Sequence, residues 1–114
     1  MSKITFNELE RIMSYSVVKN KTCIEIDFYI DGCVEYSSSW LGKVIDNDTD
    51  EASYWFGLTE DGLQAYDFNS FEEFTNAKVF KGKSLKDIWH LVSLYSIDGF
   101  NVQERLPFYS SENS

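Results

Sequence analysis

Polar and apolar side chains alternate without a break between residues 23 and 30, and this segment limits the possible folds more than any other. Its apolar positions are Ile24, Ile26, Phe28 and Ile30. Such alternation predicts a β-strand that is buried on one side, because successive side chains of a strand point to opposite faces of the sheet. We therefore expect a sheet with one apolar face.

The turn that follows this strand sets the pairing of the next one. A two-residue turn would place Phe28 opposite a glutamate and mix the two faces of the sheet. A three-residue loop over residues 30–32, with Gly32 as a left-handed bulge, pairs Phe28 with Val34 and keeps one face apolar. We therefore predict a hairpin over residues 22–41.

Turn residues and helix-capping motifs divide the remainder of the chain. The second strand is expected to bulge at Gly42 and to end near Ile45. Further hairpins are predicted over residues 53–68 and 93–103, the latter around a two-residue turn at Asp98-Gly99. Three short helices are predicted to begin after the capping residues Thr5, Ser70 and Ser84.

Together these elements predict an α+β fold in a single domain over residues 1–106. Its antiparallel sheet would have about four to six strands and would pack with the three short helices. A chain of 114 residues, 43% of them hydrophobic, is large enough to bury one core. Residues 107–114 are expected to form a frayed C-terminal tail.

Neither membrane insertion nor export is expected. No apolar run reaches the roughly 18 residues that a membrane span needs. The acidic Glu8 comes before any apolar stretch, which is unlike a signal peptide. In the predicted hairpin Cys23 lies roughly 20 Å along the strand from the position opposite Cys33, which is too far for a disulfide. We therefore expect two free thiols and a cytoplasmic protein.

The acidic residues are concentrated in one third of the chain. The formal net charge is -9, and no Lys or Arg occurs between Lys43 and Lys78. Acidic and basic residues balance outside that interval, so the whole net charge lies within it. Such a chain is repelled by phosphate backbones, because nucleic-acid binding relies on Lys and Arg. Direct nucleic-acid binding is therefore disfavoured, and a basic protein surface is the expected partner.

Aromatic side chains are interleaved with these carboxylates. If Phe56 and its alternate neighbours face the core, Trp55 points outward among the acidic residues. An exposed Trp is a typical anchor of an interface, and the surrounding charge steers a basic partner towards it. The candidate partner-binding residues are Asp46, Asp48, Asp50, Glu51, Trp55, Glu60, Asp61 and Asp67. The alternative interpretation is an acidic hairpin that only keeps the protein soluble.

No complete motif indicates an enzyme, a metal or a cofactor. His90 is the only histidine, and a catalytic or metal-ligating role needs further groups. The acidic loop alternates like a calcium loop, but Glu51 and Gly57 occupy positions where that loop needs Gly and Glu. Residues 82–84 resemble the end of a phosphate loop whose first glycine is replaced by Ala77. We therefore predict a non-enzymatic protein that binds no metal or cofactor.

Three segments, which together cover roughly the C-terminal third, carry a resemblance to known proteins. They are Phe-Glu-Glu-Phe at residues 71–74, Gly-Lys-Ser-Leu-Lys-Asp-Ile-Trp at 82–89 and Ser-Ile-Asp-Gly at 96–99. In these segments the chain resembles small acidic proteins of unassigned function from Gram-positive bacteria, their mobile elements and phages. The resemblance implies a bacterial or phage setting and assigns no functional residue.

The leading hypothesis is a non-enzymatic inhibitor or immunity-type protein that docks on a nucleic-acid-handling enzyme. The groove that holds nucleic acid is a strongly basic surface, which suits an acidic partner. The enzyme would be a nuclease toxin or a CRISPR-type effector, and both alternatives remain open. A different class of function is a structural or assembly protein that acts as a homodimer through exposed aromatic side chains.

Overall fold

The computed structural model describes residues 2–14, 23–46, 48–58 and 64–110. The helices are α1 (Phe6–Ser14), α2 (Phe71–Asn76), α3 (Leu85–Ile88) and α4 (Val102–Ser110), and 3-10 turns lie at Val34–Tyr36 and Trp89–Leu91. The strands are β1 (Ile24–Ile30), β2 (Ser39–Ile45), β3 (Ala52–Leu58), β4 (Gln64–Phe68) and β5 (Val92–Ile97). They form one antiparallel sheet in the order β4-β3-β2-β1-β5. The predicted single α+β domain is confirmed.

The predicted helix starts are also confirmed. Before α1, the Thr5 hydroxyl accepts the Glu8 amide at 3.0 Å and the Glu8 carboxylate accepts the Thr5 amide at 2.8 Å. Ser84 and Asp87 form the same reciprocal pair at α3. Ser70 caps α2 by accepting an amide of its first turn. These side chains satisfy amides that a helix start otherwise leaves without partners.

All four helices bury residues in a single core against one face of the sheet. From the helices this core takes Leu9, Ile12, Met13, Phe74, Leu85, Ile88, Val102 and Tyr109. From the strands it takes Ile24, Ile26, Phe28, Ile30, Leu41, Phe56, Leu58, Val92, Leu94 and Ile97. The Phe56 and Phe74 rings stack with their centroids 4.3 Å apart. The apolar alternation of β1 therefore faces the helices, as its sequence predicts.

The predicted pairing of the first hairpin is wrong. β1 pairs with β2 so that Phe28 lies opposite Ser39, and the connection takes up residues 31–38. Val34 does not pair with Phe28 but begins a 3-10 turn that leaves it 88% exposed. The same turn buries Tyr36, whose ring packs edge-on against the Phe80 ring with the two centroids 5.6 Å apart. Burial of this aromatic ring against a residue distant in the sequence overrides the local preference for a tight hairpin.

Two further expectations for this region have different outcomes. Gly42 is not a bulge, because it pairs in regular register with Glu25 on β1 and Trp55 on β3. Both cysteines are free as predicted, although the pairing that motivated the prediction is wrong. Cys23 is exposed and Cys33 is half-buried. The hairpin over residues 53–68 is confirmed by the pairing of β3 with β4, and its turn lies outside the described residues.

The predicted hairpin over residues 93–103 is correct only as far as its turn. Ile97 and Phe100 exchange backbone hydrogen bonds around Asp98 and Gly99, both of which have positive φ angles. Beyond Phe100 the chain forms α4 instead of a strand. The Asn101 side chain accepts the amides of the first helical turn, and that capping is why the helix begins here.

The prediction of a frayed tail is wrong for residues 107–110, which form the last part of α4. Tyr109 is buried, and its hydroxyl donates a hydrogen bond to Asp98. Arg105 donates to the same carboxylate oxygen at 3.0 Å. The domain therefore extends beyond residue 106, because a buried ring and two polar contacts hold this helix in place. Residues 111–114 lie outside the described part of the chain.

Candidate functional site

No described helix covers the second face of the sheet, which we call the open face. Its large or charged outward side chains are Glu25, Asp27 and Tyr29 on β1, Trp40 and Val44 on β2, Trp55 on β3, Asp67 on β4 and Tyr95 on β5. Trp40 is 38% exposed, and Val44 and Tyr95 are each 40% exposed. Large apolar side chains grouped on one surface are a typical feature of interaction sites.

Two rows of paired residues cross the open face. In one row Trp55 lies between Gly42 and Asp67, and Gly42 in turn pairs with Glu25. The Trp55 indole rests on Gly42, where a side chain would collide with the ring. Trp55 therefore lies on the face opposite Phe56, as the alternation predicts, and its own sheet half-buries it.

The second row centres on Trp40, which pairs with Asp27 on one side and with Gly57 on the other. Asp27 is half-buried, and partial burial raises the pKa of its carboxyl. No described residue forms an ion pair or a side-chain hydrogen bond with it. An unpaired, partly dehydrated carboxylate therefore lies beside an exposed indole.

A pair of tyrosines extends the aromatic surface towards the β5 edge. The Tyr29 and Tyr95 rings are 4.9 Å apart between centroids. The Tyr95 hydroxyl donates to the Ser37 carbonyl at 3.1 Å, which holds the ring against the connection between β1 and β2. The ring contact and this hydrogen bond therefore hold the two tyrosines in place.

The described strands contribute only negative formal charge to the open face, and at its β5 edge Lys3 pairs with Asp31, whose other oxygen accepts the Ser93 hydroxyl. The ionised groups of these strands on this face are the carboxylates of Glu25, Asp27 and Asp67. Lys43, the one basic residue of the described strands, points to the opposite face, where its Nζ donates to the Met13 carbonyl at 2.6 Å. Burial there lowers the pKa of the Lys43 amine. The open face thus combines aromatic rings with uncompensated carboxylates.

The predicted loop acids lie at one end of this face, where β2 leads into β3. Asp46, Asp48, Asp50 and Glu51 are all exposed. Asp46 Oδ1 accepts the amides of Asp48 at 2.8 Å and Thr49 at 3.0 Å, and these bonds lower the pKa of Asp46. The turn is therefore held together by one of its own carboxylates, while the others point into solvent.

Only some of the predicted partner-binding residues lie close together in the structure. Trp55 and Asp67 are direct partners across β3 and β4, and the loop acids begin about 13 Å away along the chain, at Glu51. Glu60 and Asp61 lie outside the described residues. The prediction missed the open-face residues Glu25, Asp27, Tyr29, Trp40 and Tyr95. The polar positions of the β1 alternation were a signal for the first three, whereas Trp40 required the correct register.

Calcium is not expected to bind the acidic loop. Among the described residues no group of three or more His, Cys, Asp or Glu side chains is arranged to hold a metal ion. Asp46 already uses one oxygen for backbone amides, and Glu51 and Gly57 remove the turn and the bidentate ligand of a calcium loop. Millimolar calcium should therefore leave the melting temperature unchanged in a thermal denaturation assay. A rise of several degrees with calcium, absent with the same ionic strength of sodium, would contradict this.

The potential catalytic groups are scattered. His90 is exposed on the 3-10 turn after α3. The pKa of the Cys23 thiol is raised by partial burial and by the neighbouring Glu25 carboxylate, so the nucleophilic thiolate is disfavoured. A cavity of about 230 Å³ between Ile30, Tyr36, Phe80 and Leu91 has a mainly apolar lining. Cys33, Lys81 and Lys83 also line it, and among the described residues no hydrogen bond joins the Cys33 thiol to a base.

Comparison with protein families, with curated proteins and with solved structures found no match for this chain. Within the described residues, no helix is both long enough and apolar enough to cross a membrane.

Proposed function

We propose that this chain is a non-enzymatic binding protein whose open face and acidic loop dock on a basic surface of another protein. The observation that carries the proposal is the open face itself. Two tryptophans and two tyrosines lie among three carboxylates, on a sheet face that no described helix covers. Aromatic rings provide the buried centre of an interface, and the carboxylates select a partner of positive charge.

The size of the surface supports the participation of the acidic loop. Five strands spaced about 4.8 Å apart, each with about six residues, cover roughly 20 Å by 20 Å. A stable protein interface buries about 800 Å² on each partner, so the flat sheet face alone is too small. Asp48 and Glu51 at the end of β2 and β3 extend the same acidic surface and would complete the contact.

The proposed partner is a nucleic-acid-handling enzyme, because its substrate groove is lined with Lys and Arg. In this proposal the chain acts in the cytoplasm as an inhibitor of a nuclease. Its target is either a nuclease toxin, which would make the chain an immunity protein, or a CRISPR-type effector. The carboxylates of the chain would occupy the positions that nucleic-acid phosphates otherwise take.

A homodimer through the open face is the second candidate function, and the charge of the face disfavours it. A two-fold dimer places the same patch on both sides of the interface. The carboxylates of Glu25, Asp27 and Asp67 would then face their own copies, and the described strands supply no base on that face to compensate them. Sedimentation distinguishes the two functions, because an aromatic dimer persists in 1 M salt whereas docking on a basic partner weakens.

Charge reversal in the loop is expected to weaken binding to a nuclease about tenfold or more. The variant Asp48→Lys with Glu51→Lys removes two exposed carboxylates beside the open face, so the loss should fall mainly on the association rate. The matched control is Glu10→Lys with Glu104→Lys, on α1 and α4, which changes the net charge equally. Surface plasmon resonance would measure binding to the nucleases encoded nearest to the gene of this chain, and cleavage assays would measure inhibition.

Two results would contradict the proposal. One is equal weakening by the loop pair and the helix pair, which would show that only the total charge matters. The other is the absence of binding to any neighbouring nuclease at low salt, where electrostatic docking is strongest. Each variant should first be shown to keep the melting transition of the parent protein.

A further inference from the structure

The residues around Trp40 form a slot that differs from the rest of the open face. Asp27, Trp40 and Gly57 are direct neighbours across β1, β2 and β3. Trp55 lies two residues before Gly57 on the same face of β3. We call these four residues the tryptophan slot.

Gly57 provides an empty floor for this slot. A side chain built at Gly57 would meet no other atom within 4 Å. The next residue in the row, Ala65 on β4, is exposed and small. The surface beside the Trp40 indole is therefore open on the Gly57 side and ends in the Asp27 carboxylate on the other.

The opposite wall of the slot carries the Asp27 carboxylate, which pairs with no base among the described residues. Asp27 has no ion-pair or side-chain hydrogen-bond partner among the described residues, and burial raises the pKa of its carboxyl. A carboxylate that is partly removed from water gains more from a charged donor than a fully hydrated one does. The group that suits the slot is therefore a cation that can also cover an indole ring.

We infer that the tryptophan slot binds an arginine side chain of the basic partner, and this inference rests on the function proposed above. The guanidinium stacks on Trp40 and donates hydrogen bonds to Asp27, while the aliphatic part of the side chain lies over Gly57. Adjacent strands are about 4.8 Å apart, so the glycine floor, the indole and the carboxylate follow one another within the reach of one extended side chain.

Arginine fits this arrangement better than lysine does. Its guanidinium is planar, stacks on aromatic rings and presents a fork of donors that matches a carboxylate. It is also less strongly hydrated than an ammonium group, so it loses less hydration free energy on entering a half-buried slot. Of two partners with equal positive charge, the slot should therefore bind the arginine-containing partner more tightly than the lysine-containing one.

The test compares two synthetic peptides, four Arg-Gly repeats and four Lys-Gly repeats, which have the same length and charge. Isothermal titration calorimetry in 50 mM salt should show about tenfold tighter binding of the arginine peptide. Asp27→Asn should abolish this preference, and Gly57→Val, which fills the floor, should reduce it. Asp67→Asn is the matched control, because it removes one carboxylate from the same face outside the slot.

The outcomes separate this inference from the proposed function. A preference for arginine that Asp27→Asn removes and Asp67→Asn keeps supports the slot. Equal binding of both peptides, weakened equally by Asp27→Asn and Asp67→Asn, overturns the slot while the acidic docking surface stands. Binding of neither peptide overturns the slot and counts against the docking surface too. All variants should keep the parent melting temperature, and Gly57→Val and Asp27→Asn remove no internal hydrogen bond of the described residues.

Discussion

Replacing Gly42 by alanine is expected to lower the free energy of unfolding by about 3 kcal/mol or more. The new Cβ would collide with the Ile24 carbonyl oxygen on β1 and would lie 2.5 Å from Cζ2 of Trp55. The carbonyl belongs to the backbone of the central sheet, so relief of the collision requires β1 and β2 to separate. Overpacking of this kind typically costs about 1–3 kcal/mol, and displacement of backbone raises the cost. Chemical denaturation followed by tryptophan fluorescence would measure the loss.

Gly57→Ala is the matched control for this variant. Gly57 is also a strand glycine on the open face, but no atom lies within 4 Å of the position that a Cβ would occupy there. Alanine there should leave stability unchanged or raise it by a few tenths of a kcal/mol, since it restricts the unfolded chain. Equal destabilisation by both variants would show that strand propensity, and not the close approach at Gly42, explains the effect.

Asp98→Ala is expected to destabilise the domain by about 3 kcal/mol, mainly through the loss of one shared carboxylate and in smaller part because alanine disfavours the positive φ at this position. Its Oδ1 accepts the Glu25 amide at 3.0 Å, and its Oδ2 accepts from Arg105 Nε and the Tyr109 hydroxyl. The Asp98 side chain is only 11% exposed. Removal of one partner from a buried, charged network typically costs about 3–5 kcal/mol, because the remaining groups stay buried without partners. Thermal and chemical denaturation would measure this loss.

A double-mutant cycle with Tyr109→Phe completes the experiment. The single Tyr109→Phe variant should cost about 1 kcal/mol, and it should cost much less when Asp98 is already alanine. The control is Glu35→Ala, which breaks the exposed ion pair with Lys81 and should have a far smaller effect. If Tyr109→Phe had no effect in either background, α4 would not be anchored to the sheet in solution.

At Gly42 the sequence predicts a bulge, and beyond the turn at Asp98 it predicts a strand. The structure has a regular strand at Gly42 and the helix α4 after that turn. Gly42 carries no local signal that distinguishes a bulge from a close packing contact, because the colliding atoms belong to β1 and β3. Asn101 did offer a local signal for α4, since Asn is a favoured cap and Glu104 follows three residues later. The predicted strand followed instead from the two-residue turn at Asp98-Gly99.

Only part of the candidate site could be predicted from the sequence. The outward position of Trp55 and the acidic loop follow from alternation and composition, which are visible in the sequence. The neighbourhood of Asp27, Trp40 and Gly57 is not visible there, because it depends on the register of three strands. A shift of one residue in that register would move every side chain of a strand to the other face.

Features that depend on residues a few positions apart follow from the sequence alone. These are the capped starts of α1, α2 and α3, the buried side of β1, and the turn at Asp98 and Gly99. The connection after β1 and the path of the C-terminal residues depend instead on long-range packing. Tyr36 turns into the core because Phe80 lies there, and Tyr109 docks because Asp98 lies there. Both partners are supplied by the folded chain, and their burial outweighs the small free-energy differences between local conformations.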